Sequence, residues 1–279
     1  MTLPPSADRP PHLAAGGQRA ARRLAGRNVL VVGGGGSREG PAGNGHAISV
    51  LAAREGAAVA VADIDPRAAA GTAGAIEAAG GTAAVVIADV HRPDDCERLV
   101  AEAIAALGGL DGLVLNVGIG KGRGLAGTDS QTWDEVLAVN LRSHFLVARA
   151  ALPAMSGGAV VFIGSLAGLQ PGTFSPSYDA SKAALIALCR HTAMEGSRLG
   201  IRANLIAPGL IDTPMGRDAS RARPGRDAVR IPLGRQGTAW EVGWAAVFLL
   251  SAEASYITAQ VLVVDGGLGI LPRRDDVSR

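Results

Sequence analysis

The feature that most constrains this chain is its alternation of short, unbroken apolar runs with longer stretches of helical period. Residues 29–32 read Val-Leu-Val-Val, with no polar position on either face. A strand apolar on both faces belongs to a parallel sheet covered by helices on both sides. Similar runs fall at 58–62, ending at Asp63, and at 82–87, 112–115, 158–163, 202–207 and 261–264. Between them the spacing predicts helices over 45–54, 66 to about 80, 93–107, 131–155, 177–199 and 239–250. Asp65-Pro66 is a helix start, with Asp as N-cap and Pro at the first helical position, and Gly80-Gly81 is a stop. Strand and helix alternate about six times without a break, the pattern of one doubly wound parallel α/β sheet.

Composition agrees with a single Rossmann-like domain with helices on both faces of the sheet. The chain has 279 residues, 48% hydrophobic and 19% charged, enough for a large core. A net charge of +2 and only 3% aromatics argue against a nucleic-acid partner. No apolar run approaches the roughly 18 residues of a membrane span. Residues 1–26, rich in Pro, Ala and Gly, lack the apolar stretch of a signal peptide and are expected to form a mobile arm with a basic patch at Arg19, Arg22 and Arg23. The domain proper is expected over 27–271, with a flexible tail at 272–279. Cys96 and Cys189 form no Cys-x-x-Cys pair and no zinc spacing, so they read as buried thiols in a reducing, cytoplasmic compartment, and no metal site is expected.

Chemistry enters at two places. The strand at 29–32 runs into a glycine-rich stretch, Gly33 to Gly45, and then a helix start. Glycine lets the backbone approach a pyrophosphate, which the N–H groups of a helix N-terminus attract. Taken alone, the stretch could equally be an ordinary loop. Asp63, at the end of the next strand with Ile64 after it, is placed to accept hydrogen bonds from ribose hydroxyls and to repel a 2′-phosphate, favouring NAD over NADP. The second place is Tyr178 with Lys182, four residues apart and so on one helix face. An ammonium beside a phenol favours the phenolate, which would let Tyr178 exchange a proton near neutral pH. The chain has two tyrosines and two lysines against 25 arginines, so chance pairing is a poor explanation. Ser165 follows the strand at 158–163, at the carboxyl end where open α/β sheets bind ligands.

These residues resemble the short-chain dehydrogenase/reductase family over nearly all of 27–268. Gly43-Asn44-Gly45 is similar to the second half of its glycine signature, Asp89-Val90 to its adenine-contacting pair, and Asn116-Val117-Gly118 to its Asn-Ala-Gly. Asn140, Ser165, Tyr178 and Lys182 match its catalytic tetrad. Pro208-Gly209 with Ile211 and Thr213 resembles the segment that holds nicotinamide, and Val264-Asp265-Gly266-Gly267 its C-terminal signature. Outside that register, Asn116 and Asn140 would pass as turn or helix-surface residues.

The resemblance implies NAD(H)-dependent interconversion of a small-molecule secondary alcohol and ketone. Tyr178 would be the acid/base, Lys182 would tune it and bind the nicotinamide ribose, Ser165 would hold the substrate oxygen, and Asn140 would hold a relay water. It also implies a homo-oligomer, tetramer or dimer, joined through the helices at 131–155 and 177–199. The chain departs from the pattern at Val32 and Leu115, and its glycine loop is stretched, with Gly33 and Gly43 ten positions apart. Ser37 to Ala42 are expected to close over the pyrophosphate. Two rivals stand beside this reading, an enoyl reductase and a catalytically silent NAD-binding sensor or scaffold. The intact tetrad speaks against the second. Residues 212–235, polar and aperiodic, are expected to form a mobile substrate lid. Its six arginines either select an anionic substrate or form a solvated face. His46, His91, His144, Trp133, Trp240 and Trp244 read as packing or surface residues.

Overall fold

The computed structural model describes residues 22–36, 40–223, 225–226 and 229–270. Seven parallel strands form one sheet in the order β3-β2-β1-β4-β5-β6-β9. They are β1 (Asn28–Val32), β2 (Ala58–Asp63), β3 (Thr82–Ile87), β4 (Gly112–Leu115), β5 (Gly158–Ile163), β6 (Ile201–Pro208) and β9 (Val261–Val264). Strand order reverses beside β1, with β2 on one side and β4 on the other, which opens a crevice at the carboxyl ends. A two-residue ladder, β7 (Ile211–Asp212) with β8 (Gly237–Thr238), closes the segment after β6.

The helices cover both faces. They are α1 (Asn44–Arg54), α2 (Pro66–Ala78), α3 (Pro93–Leu107), α4 (Ser130–Leu137), α5 (Ser143–Ala151), α6 (Pro176–Gly196), α7 (Pro214–Ala222) and α8 (Ala239–Leu250). Alternate residues of the strands feed two cores. Leu30, Val32, Leu113, Leu115, Val160 and Phe162 pack with α3, α5 and α6, while Val29, Val31, Val114, Val161 and Ile206 pack with α1 and α8. Asp65 caps α2 as expected, accepting from the Arg67 N–H at 2.8 Å.

Three expectations change. The helix expected over 131–155 is divided: α4 gives way to a π-helical turn over Ala138–Arg142 before α5, and a 3-10 turn ends the run at Leu152–Ala154. The segment 212–235, read as aperiodic, contains α7, whose Thr213 N-cap accepts from the Gly216 N–H at 3.0 Å. Within the arm, residues 22–26 form a turn pinned to the domain. Leu24 is buried and its N–H donates to Glu55 O, and Arg23 pairs with Glu253. Residues 1–21, Ser37, Arg38, Glu39 and 271–279 lie outside the described residues, so the rest of the arm, the tail and the middle of the glycine loop do too.

Candidate active site

The dinucleotide half of the crevice is built on close approaches that only glycine permits. Gly33 ends β1 with φ +76°, and its carbonyl accepts from Asn116 Nδ2 at 2.8 Å. A Cβ on Gly45 would lie 1.8 Å from that same carbonyl oxygen. The stretched loop therefore leaves and returns to one contact, seating the start of α1 against the end of β1. Gly43, the N-cap of α1, supplies no side-chain cap, and Asn44 Oδ1 is buried without a partner. Unpaired N–H groups at a helix start suit an anion. Asp63 turns one carboxylate oxygen to the Gly35 N–H (2.9 Å) and the other to the Asp65 N–H (3.1 Å), and Ile64 stands exposed beside it. Asp89 accepts from the His91 N–H, and Val90 packs on the core. These residues fit a dinucleotide: a bare helix start, a glycine cradle that a Cβ would fill, and an acidic group at the end of β2.

The catalytic half is fully cross-linked. Asn140 sits in the π turn, where the shifted hydrogen-bond register turns its buried side chain inward. Its Oδ1 accepts from the Ile119 N–H at 2.8 Å, and its Nδ2 donates to Ile119 O (2.9 Å) and Ser181 Oγ (3.0 Å). Lys182, buried on α6, donates to Ile163 O at 3.0 Å and lies 5.7 Å from the Tyr178 ring centroid. A Cβ on Gly118 would come within 3.3 Å of Lys182 Nζ and 3.7 Å of Asn140 Oδ1, so Gly118 keeps the space between them open. Ser165 accepts from the Ala167 N–H at 3.1 Å, and its side chain stands beside the Tyr178 phenol. Farther along, Gly209 abuts Asp265, its N–H donating to Val264 O at 3.0 Å, and Pro208 pairs with Val264. Ile211 lies in β7, and Thr213 is occupied as the cap of α7.

The electrostatics correct one expectation. Burial raises the Tyr178 phenol above its ordinary pKa, the Ser165 hydroxyl opposing it, Asp179 adding to it and Arg226 opposing it. Burial also lowers Lys182, to a pKa of about 8. Arg226 was grouped with the lid arginines, and nothing in sequence places it by Tyr178. Its Nη1 donates to Gly216 O and Ser220 Oγ, which holds it beneath α7. Ser181, between Tyr178 and Lys182, also escaped the sequence reading although its position in the helix was legible. His46 packs against Trp240 and Thr72, and His144 is buried against Phe162, both as packing residues.

A family model described as enoyl-(acyl carrier protein) reductase matches residues 40–269. With 34% identity, the chain is similar to 2-(S)-hydroxypropyl-CoM dehydrogenase 3 of Xanthobacter autotrophicus, covering 89% of this chain and 98% of that protein. It is 40% identical to a protein of the same organism named inactive 2-(S)-hydroxypropyl-CoM dehydrogenase 2, over 78% of this chain and 97% of that one. Among solved structures, levodione reductase superposes with a TM-score of 0.82 at 31% identity, covering 89% of this chain and 99% of that one. The chain belongs to the short-chain dehydrogenase/reductase family, whose members bind nicotinamide cofactors and act on small molecules. It is thereby an oxidoreductase of the dehydrogenase/reductase type.

Proposed function

We propose that the protein interconverts a secondary alcohol and a ketone with NAD(H), and that Tyr178 is the general acid/base. The carrying observation is Tyr178 with Lys182 Nζ 5.7 Å from its ring and the Ser165 side chain beside its phenol. When bound, the nicotinamide carries the hydride. In the oxidation direction Tyr178 takes the hydroxyl proton, and in reduction it returns one to the ketone oxygen. Ser165 donates a hydrogen bond to that oxygen and stabilises its developing charge. Lys182, with a pKa near 8, can pass a proton toward or away from the phenol under mild conditions. Both N–H bonds of Asn140 Nδ2 are engaged, yet Oδ1 keeps one acceptor site for a water leading from Lys182. Asn116 and Gly33 fix the strand ends, while Gly43, Asn44 and Gly45 would receive the pyrophosphate. Asp63, with Ile64, would hold the adenosine side and favour NAD over NADP, and Asp89-Val90 would flank the adenine. Pro208, Gly209, Ile211 and Thr213 would line the nicotinamide. Four-residue Tyr–Lys spacing with Ser165 favours this chemistry over enoyl reduction.

A homo-oligomer and a cytoplasmic location complete the reading. The edge strand β9 is half-buried throughout, and Phe145 and Met194 stand exposed on α5 and α6. Both features support self-association. Tyr178→Phe removes one hydroxyl. Its expected outcome is a loss of turnover of about a thousandfold or more with a panel of secondary alcohols, with NADH affinity within about twofold of wild type. Substantial residual turnover would assign the proton to another group. No turnover by the wild type, despite NADH binding, would favour the silent sensor, the outcome suggested by the inactive relative.

A further inference from the structure

Phe174 is out of place by every ordinary criterion. It has φ +65°, a left-handed conformation that strains an aromatic residue, yet the residue is 61% exposed rather than buried in a core. The strain is imposed by contacts on its backbone and neighbours. The Gly124 N–H donates to Phe174 O at 2.7 Å, Ser175 Oγ donates to Lys121 O, and Asp179 receives the Thr173 hydroxyl and the Gly172 and Thr173 N–H groups. Three loops that follow β4, β5 and β6 meet here. Each contributes to one cluster: the Arg123 guanidinium lies 6.0 Å and that of Arg223 lies 4.9 Å from the Phe174 ring centroid.

These two arginines differ from three others of the region. Arg217 is paired with Asp212, Arg221 with Asp218 and Arg235 with Glu241. Among the described residues neither Arg123 nor Arg223 meets a carboxylate. Arg223 spends one Nη2 hydrogen bond on Gly172 O at 2.7 Å, which ties the lid to the loop after β5, and its Nε–H is buried without an acceptor. Asp179 already accepts from the three donors named above and pairs with neither arginine. Two cations over one ring repel each other unless an anion lies between them. A cavity of about 570 Å³ opens beside them, lined in part by Gly124, Leu125, Pro171, Gly172, Phe174 and Asp179. On α6 it is lined by Asp179, Ala180 and Ala183 rather than by Tyr178 or Lys182, and the Arg123 loop reaches the candidate reaction centre through Gly120, where a Cβ would lie 3.8 Å from the Tyr178 ring.

We propose that Arg123 and Arg223, seated on Phe174, form a substrate-binding clamp for an oxyanion, a carboxylate, sulfonate or phosphate, carried by the small-molecule substrate away from its reacting carbonyl. The clamp rests on the reading of Tyr178 as the reaction centre, and it narrows the charge selection expected of the six lid arginines to Arg223, joined by Arg123 from the loop after β4. Guanidinium suits the task because its planar fork can bind an oxyanion through two parallel hydrogen bonds while its face stacks on the ring.

The test compares acetoacetyl-CoA with acetoacetyl-N-acetylcysteamine, which share the reacting ketone, the second lacking the phosphates together with the adenosine and most of the pantetheine arm. In the wild type kcat/KM should favour the CoA thioester. Arg123→Gln and Arg223→Gln should each reduce that preference about tenfold, with the neutral thioester changed less than about twofold. Arg54→Gln, on α1, should leave the preference unaltered. Arg223→Lys should restore part of it, and added salt should diminish it. Arg223 also ties two loops, so Arg123→Gln, an exposed residue with no side-chain hydrogen bond, keeps the test clear of folding effects. Independently, calorimetry with inorganic pyrophosphate under saturating NADH should show binding to the wild type that Arg123→Gln weakens about tenfold. Equal losses for both thioesters, or pyrophosphate binding indifferent to both substitutions, would overturn the clamp. Failure of the wild type to reduce either thioester would count against the ketone chemistry, and the pyrophosphate titration would still decide the anion site.

Discussion

The two halves of the crevice are built on opposite principles. In the half with the candidate catalytic residues, over β4 to β6, polar side chains are fixed by hydrogen bonds: Asn140 to the Ile119 backbone and Ser181, Lys182 to the Ile163 carbonyl, and Ser165 to the Ala167 N–H. In the dinucleotide half, over β1 to β3, the surface is mostly backbone, and its most crowded points are glycines. The difference follows from the tasks. Proton transfer needs side chains fixed within a few tenths of an ångström, and fixing them takes hydrogen bonds. A diphosphate is held by main-chain N–H groups, which need only an unobstructed approach. A catalytic half tolerates little change of residue type, whereas a dinucleotide half tolerates a longer loop provided its two ends still touch. This chain shows that tolerance, because Gly45 still lies against Gly33 O despite the ten positions between Gly33 and Gly43.

If the halves are this separate, each can be damaged alone. The largest such effect on cofactor use should come from Asp63. Its carboxylate sits at the end of β2, where a 2′-phosphate would bring like charges together. The wild type should use NAD about a hundredfold better than NADP by kcat/KM. Asp63→Asn keeps an acceptor for the Gly35 N–H but removes the charge, and should cut that ratio at least about tenfold while leaving kcat with NAD little altered. Equal use of both cofactors by the wild type would remove Asp63 from this role. A large fall in kcat with NAD would show the halves to be coupled.

The second comparison lies inside the glycine loop. Gly45→Ala would drive a methyl into Gly33 O, so we expect destabilisation of about 2–3 kcal/mol in urea, with weaker NADH binding. Gly43→Ala meets nothing within 4 Å, and its φ of −78° suits any residue, so stability should stay within about 0.5 kcal/mol. Similar losses from both would refute the idea that the loop is anchored at one contact.

These glycines mark how far sequence reading reaches. Strand positions to within about a residue, the α2 cap at Asp65 and the Tyr178–Lys182 pairing on one helix are legible, since each rests on local pattern or residue type, whereas Asn140 stands out only through the family resemblance. The π turn at Asn140 was not, because one extra residue in a helical turn leaves the apolar period nearly intact. The helix α7 was hidden by its charge, although Thr213-Pro214 is a start signal by the same rule that located α2. The conformation of Phe174 and the place of Arg226 come from contacts between loops distant in sequence, which no local pattern records.

The smallest effect separates the halves by acid. Each contains a histidine whose burial lowers its pKa: His46, against Thr72 and Trp240 in the dinucleotide half, and His144, against Phe162 in the catalytic half. His144 is lowered to about 3, by burial first and by the charge of Lys182 second. In the unfolded chain it would titrate near its ordinary value of 6.5, so below that pH the unfolded state binds a proton that the native state refuses. Stability is therefore lost as pH falls through 6.5 toward 3. Between pH 7 and pH 5 the expected loss from His144 is about 2 kcal/mol. His144→Phe, neutral at every pH and able to keep the ring contact with Phe162, should flatten the urea-unfolding free energy over that interval by about this amount, whatever its stability at pH 7. His46→Phe should flatten it less, since its imidazole keeps a hydroxyl partner in Thr72. An acid slope unchanged in His144→Phe would mean that the native protein protonates this ring as readily as the unfolded chain does, and that its burial carries no such cost.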